Sequence, residues 1–140
     1  MRIVYFTHSL ASCWNHGNAH FLRGVLSELA SRGHDVVAYE PEGAWSLANL
    51  LADHGEAGLT AWRESYPELS TTTYTPGTPV DELTDNADLV IVHEWNDHAL
   101  VAALGEQRKR GARHTLLFPR HAPPRRQRTG VDEGLRPLRL

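Results

Sequence analysis

Cysteine is almost absent: Cys13 stands alone, which excludes an internal disulfide framework and agrees with a reducing compartment. No run approaches the roughly 18 consecutive apolar residues that a membrane span needs, and Met1 leads straight into a strand-like segment instead of a signal peptide. A cytoplasmic protein with no membrane span is expected. Internal repeats are lacking too, as are the GxGxxG of a dinucleotide fold and the GxxxxGK[ST] of a P-loop. Basic charge is scarce over most of the chain. Residues 1–118 hold eight of the 14 basic residues against 15 of the 17 acids, a net of −7, while the last 22 hold six arginines and two acids, a net of +4. The body is therefore not an electrostatic nucleic-acid binder, and no nucleic-acid partner is expected.

What is present suits one globular domain: 140 residues, 41% hydrophobic and 22% charged, are enough for a core but short for a two-domain enzyme. Residues 2–7 (RIVYFT) are apolar, β-branched and aromatic without a breaker, the pattern of a buried parallel strand. Residues 8–18 (HSLASCWNHGN) are too polar and too many for a plain connection. Leu22, Val25, Leu26 and Leu29 repeat at helical spacing from Ala19, Gly33 supplies the stop, and residues 35–39 (DVVAY) return as a strand. Such a right-handed βαβ unit binds ligands at its first loop.

Further along, Ser46 is expected to cap a helix bearing Leu47, Leu50 and Leu51, which Gly55 and Gly58 end or interrupt; Leu59, Trp62 and Tyr66 mark a second amphipathic piece reaching Pro67. Residues 71–75 (TTTYT) suit a strand near a sheet edge, residues 76–86 a connection, and residues 89–92 (LVIV) a buried strand. Asp97 then caps a helix with Leu100, Val101 and Leu104 toward the sheet and Arg108, Lys109 and Arg110 in its last turn, and residues 114–118 (HTLLF) form the last strand. The expected fold is α/β, a Rossmann-like three-layer αβα domain whose parallel sheet of about five strands runs in the order 3-2-1-4-5. Strands 1 and 4 then meet at the topological switch point, and loops 8–18 and 93–97 face each other across one crevice.

Asn15, Gly17 and Asn18 precede a helix start, where free N–H groups and the positive dipole end attract phosphate; the alternative is a capping turn with Asn18 as N-cap. His93 to His98 (HEWNDH) resembles HExxH with one residue too many, at a strand end where the histidines cannot share a helical face, and His16 precedes the helix that carries His20. No metal and no cofactor are expected. Cys13 has His8 or His16 as a candidate base but no third member, so it reads as a packed or idle thiol. Glu40 follows strand 2, where a dinucleotide fold reads a ribose, but without the glycine fingerprint it carries no NAD role. Of Trp14, Trp45, Trp62 and Trp95, all able to stack on sugars, Trp62 has helical spacing and is assigned to the core. His34, His54 and His114 read as solvated or hydrogen-bonded structure.

With MRIVYFTHS opening the chain, CWNHGNAH in the first loop, FLRGVLSELASRGHDVV running into strand 2 and ADLVIVHEWND closing strand 4, residues 1–118 resemble the N-terminal, acceptor-side domain of a GT-B-fold glycosyltransferase of the family 4-like (group 1) kind. The resemblance implies transfer of a sugar from a nucleotide-sugar donor to an acceptor hydroxyl without a bound metal. It puts Asn15, Gly17 and Asn18 beside the donor diphosphate, with Gly17-Asn18 where many relatives have paired glycines. His8, Ser9, His93, Glu94 and Asn96 fall on the acceptor side, and no catalytic residue is assigned. Such enzymes carry a second Rossmann-like domain that grips the donor, and they often have a histidine after strand 5.

Residues 119–140 (PRHAPPRRQRTGVDEGLRPLRL), with four prolines and six arginines, cannot continue an α/β pattern. They read as a disordered basic tail or as a frameshift: in one GC-rich codon choice, deleting a single C after Phe118 turns the segment into FHDTHHRAVS, with a histidine where the family has one. The expectation is a truncated transferase domain, inactive alone, whose partner is the missing C-terminal domain. A different class is the alternative: a stand-alone flavodoxin-like nucleotide- or sugar-phosphate-binding module with a partner-docking tail.

Overall fold

The computed structural model describes residues 1–12 and 18–119, with the backbone alone described at Asn18. Its elements alternate along the chain: β1 (Arg2–Phe6), α1 (Asn18–Ser31), β2 (Asp35–Pro41), α2 (Trp45–Ser65), β3 (Thr71–Tyr74), α3 (Val80–Leu83), β4 (Leu89–Val92), α4 (His98–Lys109) and β5 (Thr115–Leu117). The strands form one sheet in the order β3-β2-β1-β4-β5, every pair parallel. This is the α/β, Rossmann-like arrangement expected, and it is not the 2-1-3-4-5 order of a flavodoxin-like sheet.

Alternation along the strands sorts side chains into two cores, one on each face of the sheet. Tyr5 and Ala38 point to one face, where Leu22 and Leu26 of α1 cover them with Trp62 and Tyr66 from the end of α2. Val4, Phe6, Val90 and Val92 point to the other, under Val80 and Leu83 of α3 and Leu100 and Leu104 of α4. Ile3, Val4, Phe6 and Val90 are fully buried, as the central position of β1 and β4 requires. Each such side chain contributes about 2 kcal/mol of transfer free energy.

Several boundaries differ from expectation. The first helical cap after β2 is Ala44, whose carbonyl accepts from the amides of Leu47 and Ala48 at 3.0 Å each, with no side-chain cap. Ser46 lies one residue inside the helix and is buried. The turn from Pro41 brings the chain round two residues earlier than the Ser46 signal implied, since the Ala44 amide already bonds the Pro41 carbonyl at 3.3 Å. Gly55 does interrupt α2, with φ 58° and ψ −157°, whereas Gly58 continues it. The expected connection 76–86 contains the single turn α3, held because Val80 and Leu83 bury on the sheet. Asp97 caps α4 as expected, accepting from the Ala99 amide at 2.8 Å.

Among the described residues no helix is long and apolar enough to cross a membrane. Residues 120–140, and so nearly all of the segment read as a tail, lie outside the described residues.

Candidate functional site

Parallel pairing carries β1 and β4 to the same edge, with Phe6 opposite Val92, and the loops that follow them meet there. The fourth-strand loop is tied to the first strand through one carbonyl. Phe6 O accepts from the His93 amide at 2.9 Å and from Asn96 Nδ2 at 2.9 Å, and Asn96 Nδ2 also donates to His93 O at 2.9 Å. Asn96 is thus a brace, 6% exposed and turned toward backbone. The Trp95 amide donates to His93 Nδ1 at 3.4 Å. These bonds fix His93 in a buried position and leave Trp95 42% exposed at the rim.

On the opposite wall the chain leaves β1 with the Thr7 amide bonded to Tyr39 O at 2.9 Å. Thr7 is fully buried, and among the described residues neither its Oγ1 nor His8 Nε2 has a hydrogen-bond partner. Buried polar atoms without partners are uncommon in folded proteins and cost free energy unless a group supplied from outside meets them. Burial holds the His8 imidazole below its ordinary pKa of 6.5, so at neutral pH the ring is uncharged and can accept a proton or a hydrogen bond. The ring tilts against Trp45 at the start of α2, with centroids 5.1 Å apart. Ser9 Oγ accepts from the Ser12 amide at 3.3 Å and shapes the next turn.

Between the walls lies a niche lined by Thr7, His8, Ser9, Ser12, Trp45, Ser46, His93 and Trp95, together with Ala19 and Leu22 of α1. Its cavity volume is about 30 Å³, room for a water or one hydroxyl group. The mouth is flanked by two half-exposed indoles, Trp45 and Trp95.

Of the residues singled out from the sequence, His8, Ser9 and His93 come together here. Glu94 is half-buried beside them without lining the niche, and Asn96 works behind it. Asn18 is the first residue of α1. Asn15 and Gly17 lie outside the described residues, as do Cys13, Trp14 and His16.

Glu40 does not face a ligand. It is 3% exposed, and its Oε1 accepts from the Leu10 amide at 2.6 Å. Burial, against the opposing effect of that hydrogen bond, pushes its carboxyl up to about 7. His114 is likewise no surface group: it is 5% exposed, and its Nε2 has no hydrogen-bond partner among the described residues. Thr7 and Ser46 were missed because they read as strand end and cap, and Trp45, named only as one of four tryptophans able to stack on sugars, was not placed at this edge. The signal that could have found Trp45 is its place at the carboxyl end of β2, beside the β1 loop. No group of three or more histidine, cysteine, aspartate or glutamate side chains gathers around a metal-sized site among the described residues.

No protein-family model matches the chain, and no match was found among curated proteins or solved structures.

Proposed function

We propose that residues 1–118 form the acceptor-side domain of a GT-B-type glycosyltransferase, which moves a sugar from a nucleotide-sugar donor to an acceptor hydroxyl. The observation that carries this reading is the niche at the β1/β4 switch point, where Thr7 Oγ1 and Nε2 of the uncharged His8 have no hydrogen-bond partner among the described residues and two indoles, Trp45 and Trp95, join the lining. A niche sized for one hydroxyl suits an acceptor oxygen, which glycosyl transfer needs held against the anomeric carbon. His8 Nε2 would accept the hydrogen bond of that hydroxyl, Thr7 would donate to its oxygen, and the indoles would stack on the sugar rings of a glycan acceptor. The α1 N-terminus at Asn18 opens beside this edge, where backbone N–H groups favour a donor diphosphate.

In this reading the groups that grip the donor belong to another domain, so the chain by itself binds nucleotide sugars weakly and does not turn them over. Calorimetric titration with nucleoside-diphosphate sugars, together with a turnover assay, tests it. Turnover by this chain alone would contradict the acceptor-half assignment, and submicromolar donor binding without turnover would establish a self-sufficient nucleotide- or sugar-phosphate-binding module instead. Once a donor domain is supplied and activity is measurable, His93→Ala and Glu94→Ala are expected to lower kcat/KM by about tenfold or more, equivalent to about 1.4 kcal/mol of transition-state stabilisation. Unchanged activity in both would remove them from the mechanism.

A further inference from the structure

On the opposite face of the sheet, the loop 93–97 borders a second and larger cavity. Asp97 lines it, whereas His93 and Trp95 line the niche above. The single turn α3 lines it through Val80 and Asp81, and it holds about 420 Å³. That lies within the usual range of about 300–1,000 Å³ for small-molecule sites. Its walls are largely apolar, from Pro41, Tyr74, Pro79, Leu100 and Ala103.

The rim is tied by backbone hydrogen bonds and ring contacts. Thr75, Pro76, Gly77 and Thr78 have the residue order of a type II turn: φ is +97° at Gly77, and the Thr78 amide closes on Thr75 O at 3.0 Å. The Glu42 amide bonds Tyr74 O at 2.9 Å, tying that turn to the end of β2. Tyr74 itself is fixed by edge-on contacts with Phe6 at 5.8 Å and Tyr39 at 6.4 Å. A preformed wall lowers the ordering cost of binding.

Charge around the rim is negative and unevenly compensated. Asp81 is engaged by Arg110 at 3.2 Å and Gln107 at 2.8 Å, and Glu106 by Lys109 at 2.6 Å. Asp97 pairs with no basic side chain among the described residues; its Oδ1 accepts only the Ala99 amide. Its charge reaches Tyr74, whose hydroxyl is raised first by burial and then by Asp97.

We propose that this cavity binds a small organic cation, with an aromatic or aliphatic body against Pro79, Leu100 and Ala103 and a protonated amine held by Asp97 beside Tyr74. An amine there gains a carboxylate and an aromatic neighbour at once, whereas an anion of the same shape meets the Asp97 carboxylate, which caps α4 but has no basic side-chain partner among the described residues. The site is independent of the transferase reading, since its ligand class follows from this cavity alone.

The test titrates the full chain with phenethylamine, phenethyl alcohol and 3-phenylpropionate, followed by backbone amide NMR shifts at Ala99, Leu100 and Ala103. Saturable shifts are expected with the amine, and the other two should bind about tenfold more weakly or worse, tenfold being about 1.4 kcal/mol. Asp97→Asn keeps a good helix cap while removing the charge, and should bring the amine down to the level of the alcohol. Ala103→Trp fills the cavity and should abolish binding of all three. Equal affinities, no saturable shift with the amine, an unchanged amine affinity in Asp97→Asn, or binding that survives Ala103→Trp would each overturn the proposal.

Discussion

Glu40 and Arg23 hold the same peptide segment from two sides: Glu40 Oε1 accepts from the Leu10 amide at 2.6 Å, and Arg23 Nε donates to the Leu10 carbonyl at 2.6 Å. A second guanidinium nitrogen, Nη2, reaches Ala11 O at 2.9 Å, and the group lies 4.8 Å from the Tyr66 ring centroid. Leu10 between them is fully buried. The wall that carries Thr7, His8 and Ser9 is therefore anchored by a carboxylate from β2 and a cation from α1.

That anchor titrates. Burial raises the Glu40 carboxyl from 4.5 to about 7, so the folded chain keeps its proton to higher pH than the unfolded chain does. The associated stability is complete below about pH 4.5 and is lost as pH rises through about 7. The amount is on the order of 3 kcal/mol across that window. Urea midpoints from pH 4 to 8 should fall more steeply for the native chain than for Glu40→Gln, which retains an acceptor for Leu10; parallel profiles would show that Glu40 does not titrate in this range.

Arg23 is 8% exposed and cannot be replaced by another cation. Lysine has no planar fork to meet Leu10 O and Ala11 O together, so Arg23→Lys should destabilise the fold by about 1–3 kcal/mol. Faster hydrogen exchange should appear first at Leu10 and Ser12. A loss confined to α1, with the loop amides still protected, would contradict the anchoring role.

Gly55 reverses the usual rule for helices. Gly→Ala in a helix interior ordinarily gains about 1 kcal/mol, but φ 58° with ψ −157° is a region reserved almost entirely for glycine. Space is not the obstacle, because an added Cβ would meet nothing within 4 Å. Gly55→Ala should therefore lower stability by about 1–3 kcal/mol, read as a denaturant midpoint, while Gly105→Ala in the regular helix α4 should not.

His8 should titrate below 6.5, since desolvation disfavours its charged form. NMR of the ring protons checks this directly. Trp45→Ala removes the stacked indole and admits water, so the midpoint should move up toward 6.5. A midpoint at or above 6.5 in the native chain would remove the uncharged acceptor on which the hydroxyl niche depends.

Much of the architecture was legible from local pattern. The apolar runs in β1 and β4, the periodic leucines of α1 and α4, and the Asp97 cap all report on neighbouring residues, and the crossover rule then orders the strands. Long-range contacts were not legible. Glu40 reads as a group at the ribose position of a dinucleotide fold until Leu10, thirty positions away in the chain, supplies its amide. Asn96 looks like a ligand group until Phe6 O takes its donors. Trp45 sits in what reads as a turn, and only the packing of β2 beside β1 carries it to His8. α3 has too few residues to show a helical period, so the cavity it helps to line was equally invisible.

The kink at Gly55 divides α2 into halves with separate duties. The first half presents Trp45 and Ser46 to the niche, and the second docks Trp62 on the core beside Tyr5 and Leu26. A regular helix would lock the rotation of one half to the other, so that any substitution turning Trp45 would also turn Trp62. The break removes that gearing. Selection can retune what the niche admits at the front of α2 while the rear remains seated in the core.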